Sequence, residues 1–234
     1  MSRSRLRWSN EAFGQIMRHG APIGVVNALF PLSNLQIVTQ INSYGTAVMA
    51  GNAAINQLDG ILSSIVSAPW STALTAFAGQ NLGAGKNDRV KKSILYCIGI
   101  AAVLSVLFVC IFVLFSEPLI SLFTHDPEAI AAALIKSKYT MRVYFIVSVT
   151  SCVARIIQVF GYPMLQTANS IFSVFIFRFF WTQVVYVKNP TLDVLFLCYL
   201  VSWSMMLVIN SAIAGYLYQF RFKKGKLKKM GGSK

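Results

Sequence analysis

From Cys97 to Phe115 the chain reads CIGIAAVLSVLFVCIFVLF, without one charged residue. A run this long and apolar leaves few folds open. About 20 such residues carry an α-helix across the hydrocarbon core of a bilayer, where a backbone must satisfy its own hydrogen bonds. Five more stretches of similar length accompany it, at roughly 13–42, 46–80, 129–160, 167–187 and 191–220, beside the one at roughly 91–115. The expected fold is therefore all-α and integral to the membrane, a bundle of six transmembrane helices over 13–220. A basic segment at 1–12 precedes it and a polybasic tail at 221–234 follows. Pro22, Pro31 and Pro69 lie inside these runs; transmembrane helices tolerate proline because neighbouring groups take up the freed carbonyl.

Charge is scarce and unevenly placed. Only 12% of the residues are Asp, Glu, Lys or Arg, about half the fraction of a soluble domain. The net charge of +14 would suit nucleic acid on a soluble basic face. Here the basic residues fall between apolar blocks, which sets nucleic-acid binding aside. Arg3, Arg5, Arg7 and Arg18, then Lys86, Arg89, Lys91 and Lys92, then Arg155, and finally Arg221 to Lys234 share one side if there are six spans. The other side receives Lys136, Lys138, Lys188 and Arg142, with Glu117, Asp126, Glu128 and Asp193. By the positive-inside rule both termini are expected in the cytoplasm, with the chain in the plasma or inner membrane. The tail reads as a topology anchor that also touches anionic lipid. WSNEAFGQIMRHG is too polar for the core of a cleavable signal peptide.

Enzyme chemistry finds little support. His19 and His125 are the only histidines, expected near opposite membrane surfaces, and no GxSxG, HExxH or phosphate-binding loop occurs. Cys97, Cys110, Cys152 and Cys198 sit far apart within apolar runs and read as packing residues. No enzymatic activity, metal or cofactor is expected.

The informative residues are polar ones inside spans, which normally face a bundle interior or a wet cavity. Asn52, Asn56, Asp59, Ser63 and Ser67 recur at helical spacing and fall on one narrow face. Ile55, Leu58, Leu62 and Ile65 make the opposite side aliphatic. Asp59 reads as the only carboxylate deep in a span: a protonation or cation site in a low-dielectric cavity, or an ion-paired residue joining helices. Arg178, read as the only cation near the middle of a span, is its candidate partner. Asn27 and Asn34 share a face of the first span and either line a substrate path or bind neighbouring helices. In the fourth span Ser148, Ser151, Arg155 and Gln158 are also helically spaced, with Arg155 expected to snorkel to the cytoplasmic surface. Trp70, Trp181 and Trp203 read as belt or packing residues ahead of a drug-stacking site.

Four motifs extend the reading. The first span opens HGAPIG, SYGTAVMAGNAAI leads into the second, and ALTAFAGQNLGAGKNDRVKK ends it; RFFW follows at Arg178–Trp181. The segment Gly20 to Lys92 in particular resembles the C-terminal lobe of multidrug and toxic compound extrusion (MATE) transporters, GQNLGAGK most specifically. The resemblance implies two six-helix lobes around a central cavity. Alternating access there exports drugs or organic cations in exchange for Na⁺ or H⁺. This chain would supply one lobe, and an N-terminal lobe or a second copy would be its partner. Two departures stand out. Some family members carry a glutamate eight residues after the opening proline, where this chain has Phe30, and the family's glycine-rich stretch between the fourth and fifth helices is replaced by GYPMLQTANS. The alternatives are a carrier resembling the lipid-linked saccharide flippases and a non-transporting membrane protein with an assembly role.

Overall fold

The computed structural model describes residues 10–220; within the first helix, the side chains of residues 11, 12, 15, 16, 18, 19, 22, 23, 25–30, 32 and 33 lie outside that description. The basic residues at 3–7 and the polybasic tail from Arg221 also fall outside it. Six long helices follow one another: α1 (Asn10–Asn42), α2 (Thr46–Gly83), α3 (Asn87–Leu114), α4 (Pro127–Val159), α5 (Pro163–Tyr186) and α6 (Leu192–Gln219). A short helix, Ser116–Ser121, links α3 to α4. No strand occurs among the described residues. α2 to α6 are each long and apolar enough to cross a membrane, and α1 is a continuous helix of 33 residues.

Local chemistry explains where the helices start and turn. Asp126 caps α4 by accepting a hydrogen bond from the Glu128 N–H at 3.0 Å, with Pro127 in the first turn. Thr191 caps α6 through the Val194 N–H at 3.3 Å. Pro163 starts α5 about four residues before the expected 167, because proline loses nothing where the first helical N–H has no partner. Gly45, Gly85 and Gly161 take positive φ in the α1–α2, α2–α3 and α4–α5 turns, a region open to glycine. The α1–α2 turn is tied to the end of α5 by a 2.9 Å hydrogen bond from the Tyr186 hydroxyl to that of Tyr44. Burial, together with Tyr186, holds the Tyr44 phenol above its usual range.

Three apolar clusters hold the bundle. One joins the later halves of α2 and α4 to α3 and α6, through Leu74, Val90, Ala101, Cys152, Ile157 and Leu217. The second packs Ile55, Leu58 and Leu62 of α2 on Phe112, Ile120, Met141 and Tyr144. The third binds Ile37 and Ile41 of α1 to Tyr186, Leu195, Phe196 and Cys198. Outward, α3 exposes Leu95, Val103, Leu107 and Leu114, a surface that suits lipid. Ile65, on the aliphatic side of α2, also faces outward at 63% exposure. Cys97, Cys152 and Cys198 are buried as packing residues, while Cys110 is exposed.

Three of the helices are interrupted. Pro69 has no N–H to give the Ile65 carbonyl, and α2 absorbs the defect as a π-helical segment, Ser63–Ser67, in which the Ala68 N–H reaches back to the Ser63 carbonyl. α4 breaks at Thr140, with a 3-10 turn over Met141–Val143. The Thr140 hydroxyl bonds the Lys136 carbonyl at 3.1 Å, offering that carbonyl a partner in place of the next backbone amide. α5 carries π-helical segments at Ile171–Ile176 and Trp181–Tyr186, on either side of Phe177–Phe180.

Candidate functional site

The interruptions in α2 and α4 meet beside a cavity of about 380 Å³, whose wall includes Asn34, Asn52, Asn56, Asp59, Ser63, Lys136, Thr140, Tyr144, Arg178, Tyr199 and Trp203. α2 supplies the stripe read from the sequence: Asn52, Asn56, Asp59 and Ser63 all reach this cavity. Ser67 does not. The π-helical segment rotates the helix beneath Ser63, and Ser67 is buried instead against Ser148, with hydroxyl oxygens 2.9 Å apart, and donates to the Tyr144 hydroxyl at 3.3 Å.

The principal surprise is Lys136. Counted by sequence among the charges of the surface loops, it is 3% exposed and sits inside the bundle. Its ammonium donates at 2.6 Å to Asn52 Oδ1 and at 2.6 Å to Asn56 Oδ1, short contacts of the charge-assisted kind. It also lies 5.9 Å from the Phe196 ring centre and 5.8 Å from that of Tyr199, within cation–π range. An uncompensated ammonium here would cost several kcal/mol; two amide oxygens and two aromatic faces offset that cost. Gly51 makes the approach possible. A Cβ at this position would strike the Ala129 carbonyl oxygen and come within 2.9 Å of the Ala133 nitrogen, so α2 and α4 touch backbone to backbone one turn from the Lys136 cluster.

Arg178 is 1% exposed. Its Nε donates to Ser202 Oγ at 3.1 Å and one terminal nitrogen donates to Asn34 Oδ1 at 3.0 Å. The guanidinium lies 4.3 Å from the centre of the Tyr199 ring and 6.0 Å from that of Trp203. Asn34 therefore stands in the cavity wall and also joins α1 to α5 through Arg178, whereas the side chain of Asn27 lies outside the described residues. Trp203, read as a belt or packing residue, stands in the cavity wall. Asp59, Lys136 and Arg178 share the cavity wall, and Arg178 is engaged by Ser202, Asn34 and the aromatic pair. Lys136 also corrects the view of Arg178 as the only cation at depth. The signal was present in the sequence, since Lys136 falls inside the span placed at roughly 129–160 and is preceded by the uncharged run AIAAALI; assigning it to a loop gave boundary placement too much weight.

A second polar cavity of about 330 Å³ adjoins the first through Ser63, and Ser67, Ser71, Ser151, Arg155, Gln158 and Gln166 help to line it. Arg155 stands near the end of α4, on the side where it was expected to snorkel. It is half-buried and donates to Gln158 Oε1 at 3.0 Å, and Gln158 donates in turn to Gln166 at 3.0 Å. Asn169, Ser173 and Asn210 extend this hydrogen-bonded column along α5 and α6. Two adjoining polar cavities and a hydrogen-bonded cluster beside them thus lie within the bundle. Such cavities can hold water, ions or a polar solute within a hydrocarbon environment.

Comparison with known proteins gives concordant results. The MatE family model matches residues 22–182. Among curated proteins, the chain is 29% identical over 130 residues to a FAD transporter of Shewanella oneidensis, covering 56% of this chain and 27% of that protein. It is 25% identical over 172 residues to the probable multidrug resistance protein YoeA of Bacillus subtilis, covering 74% and 37% respectively. Among solved structures, a MATE protein in complex with MaD3S superposes with a TM-score of 0.72 at 14% identity, over 89% of this chain and 45% of the other. The straight conformation of MATE gives a TM-score of 0.68 at 13% identity, with the same coverage. The chain spans less than half the length of each of these proteins.

Proposed function

The chain belongs to the MatE family of membrane transporters, and from that premise we propose that it acts as one lobe of a cation-coupled exporter of drug-like aromatic molecules. The observation that carries this reading is the cavity between the broken helices, where Asp59, Lys136 and Arg178 stand beside Tyr199 and Trp203. Ionisable groups at this depth are costly, and in transporters they line substrate and ion paths. Asp59 is the group proposed to take and release the coupling ion, Na⁺ or H⁺. Lys136, hydrogen-bonded to the neighbouring amides, responds to each change of charge at Asp59. A second six-helix lobe, whether an N-terminal lobe or another copy, closes the cavity from the other side and permits alternating access. This arrangement suits a cell membrane with both chain ends in the cytoplasm. Its length relative to the curated relatives supports the pairing of lobes.

Efflux tests the reading. In a two-lobed transporter carrying this sequence, Asp59→Asn is expected to reduce drug efflux about tenfold or more, and Asp59→Glu to retain most of it. Equal efflux by Asp59→Asn and the unaltered protein would remove Asp59 from the coupling step.

A further inference from the structure

The charge inside the bundle is lopsided. Asp59 is the carboxylate of the first cavity, faced by two cations, Lys136 and Arg178, and the adjoining cavity adds a third cation, Arg155, with no acidic group in its lining. The packed helices do not redress this. α1 has no ionisable residue from Gly20 onward, the charges of α3 lie at its start, and the acidic group of α6 is Asp193 in its exposed first turn. Lys138 and Arg142 of α4 are exposed outside the cavity. The two cations of the first cavity are almost wholly enclosed, at 3% and 1% exposure, so solvent screens them little.

We propose that this lobe selects an organic anion, with a phosphate or carboxylate head on an aromatic body. The proposal rests on the reading of the cavity as the substrate path and gives that path its charge preference. Lys136 directs two N–H bonds to Asn52 and Asn56; an ammonium has three, and the third serves an incoming oxygen. The Arg178 guanidinium is oriented by Ser202 and Asn34 and backed by Tyr199 and Trp203, the same aromatic pair that a planar cargo would meet. Guanidinium beside an aromatic wall is a setting that recognises an oxyanion and a ring together. An organic cation would meet two buried positive charges of its own sign, and Asp59, its one attractive partner, already has Lys136 for a neighbour. Two sources supply such an anion: water, as a free phosphate or carboxylate, and the membrane, as a lipid headgroup.

Fluorescein and rhodamine 123 share a xanthene frame and differ in charge, so they isolate this preference. Their binding to the 234-residue chain in detergent micelles is measured by fluorescence anisotropy. Fluorescein is expected to bind about tenfold tighter or better. Lys136→Gln and Arg178→Gln are each expected to weaken it about tenfold without weakening rhodamine 123. If these buried variants do not fold, displacement of fluorescein from the unaltered chain by inorganic pyrophosphate, and not by tetraethylammonium, decides the same point. Doping the micelles with phosphatidic acid separates the sources: displacement of fluorescein assigns the head to a lipid and no displacement to a soluble anion, with the anion preference standing in both cases. Tighter binding of rhodamine 123 overturns the anion proposal and leaves the transport reading intact. Binding of neither dye overturns both.

Discussion

At the scale of single residues, Gly51 governs the site without touching its contents. Its missing side chain lets α2 approach Ala129 and Ala133 of α4, and that approach sets the reach from Asn52 and Asn56 to Lys136. Gly51→Val is expected to push the helices apart and destabilise the protein by about 1–3 kcal/mol, read as a lower melting temperature in detergent. Ligand affinity at the cavity should fall with it. Asp59 was legible in the sequence because it interrupts a long uncharged tract and shares its helical face with two amides. Lys136 was harder to read, because another lysine follows two positions later and a tyrosine after that, the composition of a loop edge. What buries it is the close backbone contact between α2 and α4, a tertiary event that spacing within one helix does not encode.

At the scale of elements, the long helices were legible: each expected boundary lies within a few residues of a helix end, because long apolar runs mark them whatever their partners. The interruptions were less so. Pro69 announces a defect in α2, but not that a π-helical segment absorbs it at Ser63–Ser67. The 3-10 turn of α4 has neither proline nor glycine to mark it; only the Thr140 hydroxyl betrays it. Hence Ser63 lines both cavities, while Ser67, collinear with it on a regular helix, lines only the second. Pro69→Ala restores the missing donor and is expected to let α2 close as a regular helix, turning Ser67 toward the first cavity. Thermal stability should hold or rise by about 1 kcal/mol, while transport falls. A melting temperature and an efflux rate measured on the same variant check this; parallel loss of both would show that the segment serves folding alone.

At the scale of the whole molecule, the bundle reverses the usual economy of a soluble domain. Its outer belt, with Leu95, Val103 and Leu107 on α3, is apolar, while its interior holds amides, hydroxyls and charges. The distribution of basic residues is expected to orient this body with Lys86 on the cytoplasmic side. Thiol labelling provides the check. With the four native cysteines replaced by serine or alanine, Lys86→Cys is expected to resist a membrane-impermeant maleimide in intact cells, and His125→Cys to react. The reverse pattern would invert the orientation and with it the direction of transport.

The seam between Gly51 and Ala129–Ala133 leaves no slack for sliding, so the halves of α2 and α4 that hold Asn52, Asn56 and Lys136 must travel as one slab. Below them both rods lose regular winding, at Ser63–Ser67 and at Met141–Val143. In the transport cycle proposed above, rocking of this body is expected to concentrate at that pair of joints, with Asp59 one turn from the Ser63–Ser67 bend. On the same proposal the end that holds the two amides stays stiff, and the bend falls beside the cavity.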